Sequence, residues 1–256
     1  MDGEPAIHSL ALDPPAPAGF GPGSPLLEVS GLTKRYGEER VLEGVCFSVR
    51  SAEVLGVIGP NGAGKTTLLE AVAALVPIDS GAILWRGARP PPRGRREAIF
   101  YLPDATRPWQ DQYVWRVLVF LAGVYRRSRT EIGDAVAAVG LGPVLHKRVF
   151  ALAKGYARRL MWAVALLTPH ALLLMDEPFD GFDLKQTREM TVVLREAAAA
   201  GRSIVLSTHQ LADAERVCDR FVLLAGGQVH GEGTLDELRS RTGVSGGLED
   251  VFLALT

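Results

Sequence analysis

The chain has 256 residues, a nearly balanced charge (net −1 at pH 7) and an apolar fraction of 47%. That length suits one large folded unit, or one unit carrying a lobe, and the balance gives no general pull toward nucleic acid or an acidic membrane surface. Two cysteines, Cys46 and Cys218, form neither a disulfide framework nor a metal spacing, so a reducing compartment is expected. No apolar run reaches the ~18 residues of a membrane span, and the N-terminus lacks the basic-then-apolar order of a signal peptide.

Residues 1–25 are rich in Pro, Ala and Gly without periodicity, and are expected to be a disordered tail. From Leu26 the pattern changes. "LLEVSGLTKRYG" and "VLEGVCFSVR" have strand character with a turn between them, and "EVLGVIG" is a strand of small and β-branched residues. It runs into "PNGAGKTTLLEAVAAL", a glycine loop and then a helix. "GAILWRG" and "EAIFYLP" are further short strands around a Pro/Arg loop at 89–96. Residues 105–167 turn mostly helical. Alternation then returns, with strand 171–175, helix 184–199, strand 203–207, helix 211–217 and strand 220–224.

"GPNGAGKT" matches the phosphate-loop pattern in the strand-to-helix setting that gives the pattern meaning. Gly59, Pro60, Asn61, Gly62, Ala63 and Gly64 form the loop. Its glycines allow tight backbone angles and leave N–H groups open to phosphate oxygens at a helix N-terminus. Lys65 then reaches the β and γ phosphates, Thr66 offers its hydroxyl to magnesium, and Thr67 adds one toward the α-phosphate.

The apolar run "ALLLM" ends in Asp176, suited to hold magnesium through water. Strand alternation is expected to send the side chain of the next residue, Glu177, the other way, where it can activate a water. His209 closes another apolar strand in "STHQ" and faces the γ-phosphate if the two strands are neighbours. His146, His170 and His230 are expected on the surface. The arginines at 93, 95 and 96 and at 126, 127 and 129 are expected to be solvated, since no aromatic interleaving suggests nucleic acid. Trp109, Tyr113 and Trp115 read as core of the helical segment, with contact to a partner as the alternative.

Taken in order, "RYG", "GPNGAGKT", "YLPD", "DEPFDGFD" and "STH" resemble the ATP-binding-cassette (ABC) ATPases over about residues 26–240. The resemblance implies an α/β fold: a P-loop NTPase core with an N-terminal antiparallel β-subdomain and an inserted α-helical subdomain. It divides the chain into the tail, a nucleotide-binding domain at 26–241 with a helical lobe at about 105–167, and a C-terminal tail with a short helix at 242–256. It also implies that Tyr36 stacks on adenine, and that ATP and Mg2+ are bound. Two cassettes would pair head to tail, each ATP lying on one chain's phosphate loop and under the other's signature loop. Asp183 matches the residue that couples the two sites, and polytopic membrane permease subunits would receive the motion. The ending "SGGLEDVFLALT" looks like that of exporters of drugs, polysaccharides and lipids.

Two segments depart from the family. In "LAKGY", Ala153 stands for the signature Ser, Lys154 for a Gly and Tyr156 for a Gln, with Gly155 matching. Loss of a hydroxyl that bonds a charged oxygen costs about 1.5–3 kcal/mol, or about ten- to a hundredfold in rate if the bond exists only in the reacting state. Lys154 is an alternative reach to the phosphate. Asp104 in "YLPD" stands for Gln, shorter and charged, and is able to meet magnesium through water. A pair of identical weakened sites and a pair with a different, intact cassette both fit these departures. An ATP-binding regulatory subunit, or a soluble cassette outside transport, are the other readings.

Overall fold

The computed structural model describes residues 25–104 and 106–256. The expected disordered tail therefore lies outside the described residues, except for Pro25, which opens the first strand. Among the described residues the chain builds two sheets. The first is antiparallel. β1 (Pro25–Tyr36) pairs with β2 (Glu39–Arg50) on one side and with β4 (Ser80–Trp85) on the other. Gly37, at φ 60°, makes the tight turn from β1 to β2, a backbone angle that a side chain disfavours.

The second sheet has six strands. Its centre is β3 (Val54–Ile58), between β7 (Ser203–Thr208) and β8 (Arg220–Ala225). β6 (Leu172–Asp176) follows β7, and β5 (Ile99–Leu102) follows β6, all parallel. Every residue of β3, β6 and β7 is buried, as continuous apolar runs in a sheet covered on both faces should be. β9 (Gln228–Gly233) closes the edge antiparallel to β8. This hairpin was missed in the sequence, although Gly226–Gly227 marks its turn.

α1 (Lys65–Val72) follows β3, and α6 (Leu184–Ala199) and α7 (Leu211–Val217) flank β7. Between β5 and β6 stand α3 (Val114–Val124), α4 (Arg129–Ala138) and α5 (Lys154–Leu167), with two short 3-10 turns at 142–144 and 149–151. α8 (Leu235–Thr242), also unforeseen, and α9 (Leu248–Leu255) finish the chain; Leu238, Leu248 and Val251 share a small core with Phe221 and Leu223.

Several expectations are corrected. The Pro/Arg loop holds a helix, α2 (Pro92–Ala98), with Pro92 at its start, where the missing N–H costs nothing. The arginines are not uniformly solvated. Arg95 is buried and donates to Ala71 O and Val72 O, and Arg96 donates to Ala74 O, so both cap the end of α1. Arg127 donates to Leu167 O and Thr168 O at the end of α5. Arg202, fully buried, adds bonds to Ala165 O, Leu166 O and Thr168 O. Guanidinium groups suit these helix ends, where carbonyls are orphaned and the dipole is negative. Trp109 and Trp115 are not lobe core: they are 51% and 40% exposed, with Trp109 edge-on to the exposed Phe120. His170 is half-buried, wedged between the rings of Phe100 and Tyr125. His230 is half-buried beside Ala225 O, and His146 is exposed.

Candidate functional site

The glycine loop joins the C-terminal end of β3 to α1. A Cβ on Gly59 would lie 2.1 Å from Leu224 O, and one on Gly64 would lie 2.9 Å from Val41 O. Gly64 also holds φ 97° as the N-cap of α1. Both positions thus need glycine, on grounds of space at one and of space and angle at the other. No side chain caps α1, so its first N–H groups remain available, and positively biased, at the loop. Pro60, Asn61 and Gly62 form the exposed rim, and Ala63 is buried beneath. The Lys65 ammonium folds back to donate to Gly59 O (2.8 Å) and Pro60 O (3.2 Å).

Opposite the loop, β6 and β7 are neighbours in register, Asp176 beside Ser207. Thr66 Oγ1 donates to Asp176 Oδ2 at 2.7 Å, and Ser207 Oγ donates to Asp176 Oδ1. The Tyr101 hydroxyl approaches Asp176 Oδ2 at 3.5 Å. Burial, with Asp176, Glu70 and Asp104 nearby, pushes that phenol far above its ordinary value, so it stays a donor. Burial and then Asp176 raise the Glu70 carboxyl as well.

Glu177 departs from the expected alternation. The strand ends at Asp176, and Glu177 adopts φ 45°, a left-handed conformation that a side chain rarely takes. Its N–H donates to Ser207 Oγ at 3.0 Å, which fixes the turn. The inversion brings the carboxylate back to the cleft: Oε1 is 3.4 Å from Lys65 Nζ and Oε2 is 3.1 Å from His209 Nδ1. Gly62, Gly64, Lys65, Thr66, Thr67, Asp104, Asp176 and Glu177 are among the walls of one cleft of about 430 Å³, along with Glu39 and Val41. Tyr36, 47% exposed at the end of β1, has Lys34 Nζ 4.8 Å from its ring centre.

A second constellation gathers Ala153, Lys154, Gly155 and Asp183. Ala153 is the N-cap of α5 in extended backbone and makes no side-chain cap bond. Lys154 Nζ donates to Asp180 Oδ2 at 2.8 Å, so its ammonium is engaged within its own chain. A Cβ on Gly155 would meet Gln186 Oε1 at 3.2 Å. Asp183 caps α6 reciprocally with Gln186. Asp104 bonds to Arg158, one turn along α5, at 2.5 Å. Sequence reasoning missed Ser207, Tyr101, Arg158 and Asp180. Ser207 and Tyr101 sit in strands whose register was unknown, while Arg158 lies just past "LAKGY" and Asp180 lies inside "DEPFDGFD" without a role assigned to it.

The donor set suits a hydrated magnesium ion: one hydroxyl and one carboxylate 2.7 Å apart, with phosphate oxygens left to complete the shell. Among the described residues no cluster of three or more His, Cys, Asp or Glu offers a metal cage instead.

A phosphate loop leaving the central strand of a parallel sheet, with an Asp–Glu pair on a nearby strand, defines a P-loop nucleoside triphosphatase. The ABC transporter family model matches residues 42–180, more than half the chain. The ABC-type transporter ATP-binding protein EcsA of Bacillus subtilis is 32% identical over 238 residues, 90% of this chain and 96% of that one. The Nod factor export ATP-binding protein I of Ralstonia nicotianae is 34% identical over 232 residues, 87% and 71% of the two chains. A solved ATP-binding subunit of an ABC transporter superposes with a TM-score of 0.81 at 33% identity, covering 90% of this chain and 99% of that one. The chain belongs to the ABC transporter family, as one of its ATP-binding, ATP-hydrolysing subunits.

Proposed function

We propose that the chain powers an exporter, hydrolysing Mg-ATP between two cassettes that close head to tail. The observation that carries this reading is the meeting of Lys65, Thr66, Asp176 and Glu177 at one cleft, with His209 against Glu177. Gly59 to Thr67 hold the phosphates, with Lys65 exchanging its loop carbonyls for phosphate oxygens. Thr66 and Asp176 hold magnesium, and Asp104 helps through water. The ion, when bound, neutralises charge developing on the transferred phosphoryl group. Glu177 polarises and deprotonates the attacking water, and His209 orients Glu177 and faces the γ-phosphate. Tyr36 stacks on adenine; its half-exposed ring is available for that.

The tip of α5, at Ala153, Lys154 and Gly155, covers the ATP of the second cassette, and Asp183 links the two sites. The exposed and uncapped start of α5 supports this, because free N–H groups at a helix tip favour anions. The second cassette is a copy of this chain or a different one. The membrane contacts come from separate permease subunits on the cytoplasmic side. The export protein among the relatives favours the outward direction. Among the described residues no helix is long and apolar enough to cross a membrane, in keeping with a separate permease. The exposed Trp109, Trp115 and Phe120 on the helical lobe, which spans about 105–167 of a domain at 26–241, are the surface for it.

The test is a trap. Glu177→Gln, purified alone and mixed with candidate partner cassettes, should form a dimer by light scattering when Mg-ATP is added. A chain that stays monomeric with Mg-ATP in every mixture, while binding the nucleotide, would overturn the paired arrangement.

A further inference from the structure

We propose that Arg158 is a positioning residue that connects the chain's own nucleotide cleft to the tip of α5, by choosing between two aspartates. Arg158 is buried, its side chain only 5% exposed, while its partner Asp104 is 44% exposed at the cleft wall. One end of the guanidinium donates to Asp104 Oδ1. Its Nε lies 3.3 Å from Asp180 O, so the other end already touches the loop after β6. The Asp180 carboxylate in turn accepts from Lys154, and Lys154 and Arg158 are one turn apart on α5. Asp104, Arg158, Asp180 and Lys154 therefore form a line of alternating charge from the cleft to the helix tip. The bond from Lys154 holds the Asp180 carboxyl below its ordinary value, with Arg158 and His209 adding to it.

A divalent cation arriving beside Thr66 and Asp176 competes with Arg158 for Asp104. A buried guanidinium cannot be left unpaired without a large penalty, and Arg158 already reaches the Asp180 backbone carbonyl and influences that residue's carboxylate. Arg158 shifts toward it, and Lys154, 62% exposed, loses its hold and swings free at the tip. The far end of α5 does not yield, because Arg127 and Arg202 clamp its last carbonyls. Occupancy of one cleft thus frees a cation at the tip offered to the other. This rests on the head-to-tail reading above for its purpose, but the local exchange of partners is testable in one chain.

The experiment is competitive acetylation of the full chain, diluted until it runs as a monomer, read at Lys154 by mass spectrometry with the other lysines as internal standards. Nucleotide binding is measured in parallel. Saturating Mg-ATP should speed Lys154 acetylation by about three- to thirtyfold, the range of coupling carried by packed networks. ATP with EDTA should not. The acceleration should vanish in Arg158→Gln and also in Asp104→Asn, which removes the charge at the exposed end of the line, at Mg-ATP concentrations that the parallel binding measurement shows to saturate each variant. No acceleration in the wild type, or an equal one in either variant, would overturn the proposal while leaving the ATPase reading intact. A wild-type chain that binds no Mg-ATP would instead remove the reading on which the proposal rests.

Discussion

Lys65 Nζ lies 3.4 Å from Glu177 Oε1, and the two side chains are only 7% and 15% exposed. The cation proposed to grip phosphate and the carboxylate proposed to activate water are thus paired with each other. The pairing depends on the left-handed turn at Glu177, which returns the carboxylate to the cleft that a continuing strand would turn it from.

Ser207 should hold that turn. It accepts from the Glu177 N–H and donates to Asp176. Ser207→Ala strands both groups, and should lower stability by about 1–3 kcal/mol. For a chain of this size that is a fall in melting temperature of about 2–4 °C per kcal/mol. Phosphate release should fall as well. Calorimetry and a turnover assay on the same preparation check both effects.

His209 reaches Glu177 Oε2 through Nδ1 at 3.1 Å and remains 42% exposed. His209→Ala should reduce turnover by about ten- to a hundredfold, the scale of one misoriented catalytic hydrogen bond, with a small change in nucleotide affinity. Fluorescent-nucleotide titration alongside turnover separates the two.

Ala153 occupies a helix N-cap with extended backbone, the geometry in which a Ser hydroxyl bonds the first turn. Ala153→Ser should stabilise the chain by about 0.5–2 kcal/mol. If the hydroxyl also reaches phosphate in the closed pair, turnover should rise by about tenfold or more. A denaturant melt reads the first effect and the ATPase rate the second.

His170 is the residue through which stability should respond to mild acid. Burial, and then the Arg202 charge, hold its imidazole below the ordinary 6.5, and its Nδ1 is buried without a partner. The unfolded chain therefore binds the proton more readily than the folded one. The stability held above pH 6.5 should be lost progressively as pH falls toward the lowered folded value. Glu131 and Asp180 are held below their ordinary 4.5 and 3.8, so their contributions are lost only as pH falls below those ordinary values. His170→Phe, packed between Phe100 and Tyr125, should flatten the melting-temperature profile there, measured as the difference from wild type.

Much of the site was legible because its parts are local. The glycine loop and its Lys–Thr–Thr announce themselves within one strand–loop–helix unit, and the buried strands β3, β6 and β7 each carry an apolar run, with polar residues only at the ends of β6 and β7. What was hidden depends on contacts across the fold. Arg95, Arg96 and Arg127 looked like solvated charge but serve carbonyls on helices distant in sequence, and Arg202, which the sequence reading passed over, does the same. Glu177 broke the alternation because Ser207, on the neighbouring strand, supplies the anchor for an inverted backbone. Trp109 and Trp115 looked like core because large aromatic groups bury so much surface; their side chains instead stay at the surface of the helical lobe.

The most direct measurement is phosphate release by the full chain with Mg-ATP, compared with Glu177→Gln, while nucleotide binding is followed in both. Binding should be equal within about twofold, and turnover in the variant should fall by about a hundredfold or more. A variant that binds ATP and releases phosphate at the wild-type rate would contradict the assignment of this cleft as the place of hydrolysis.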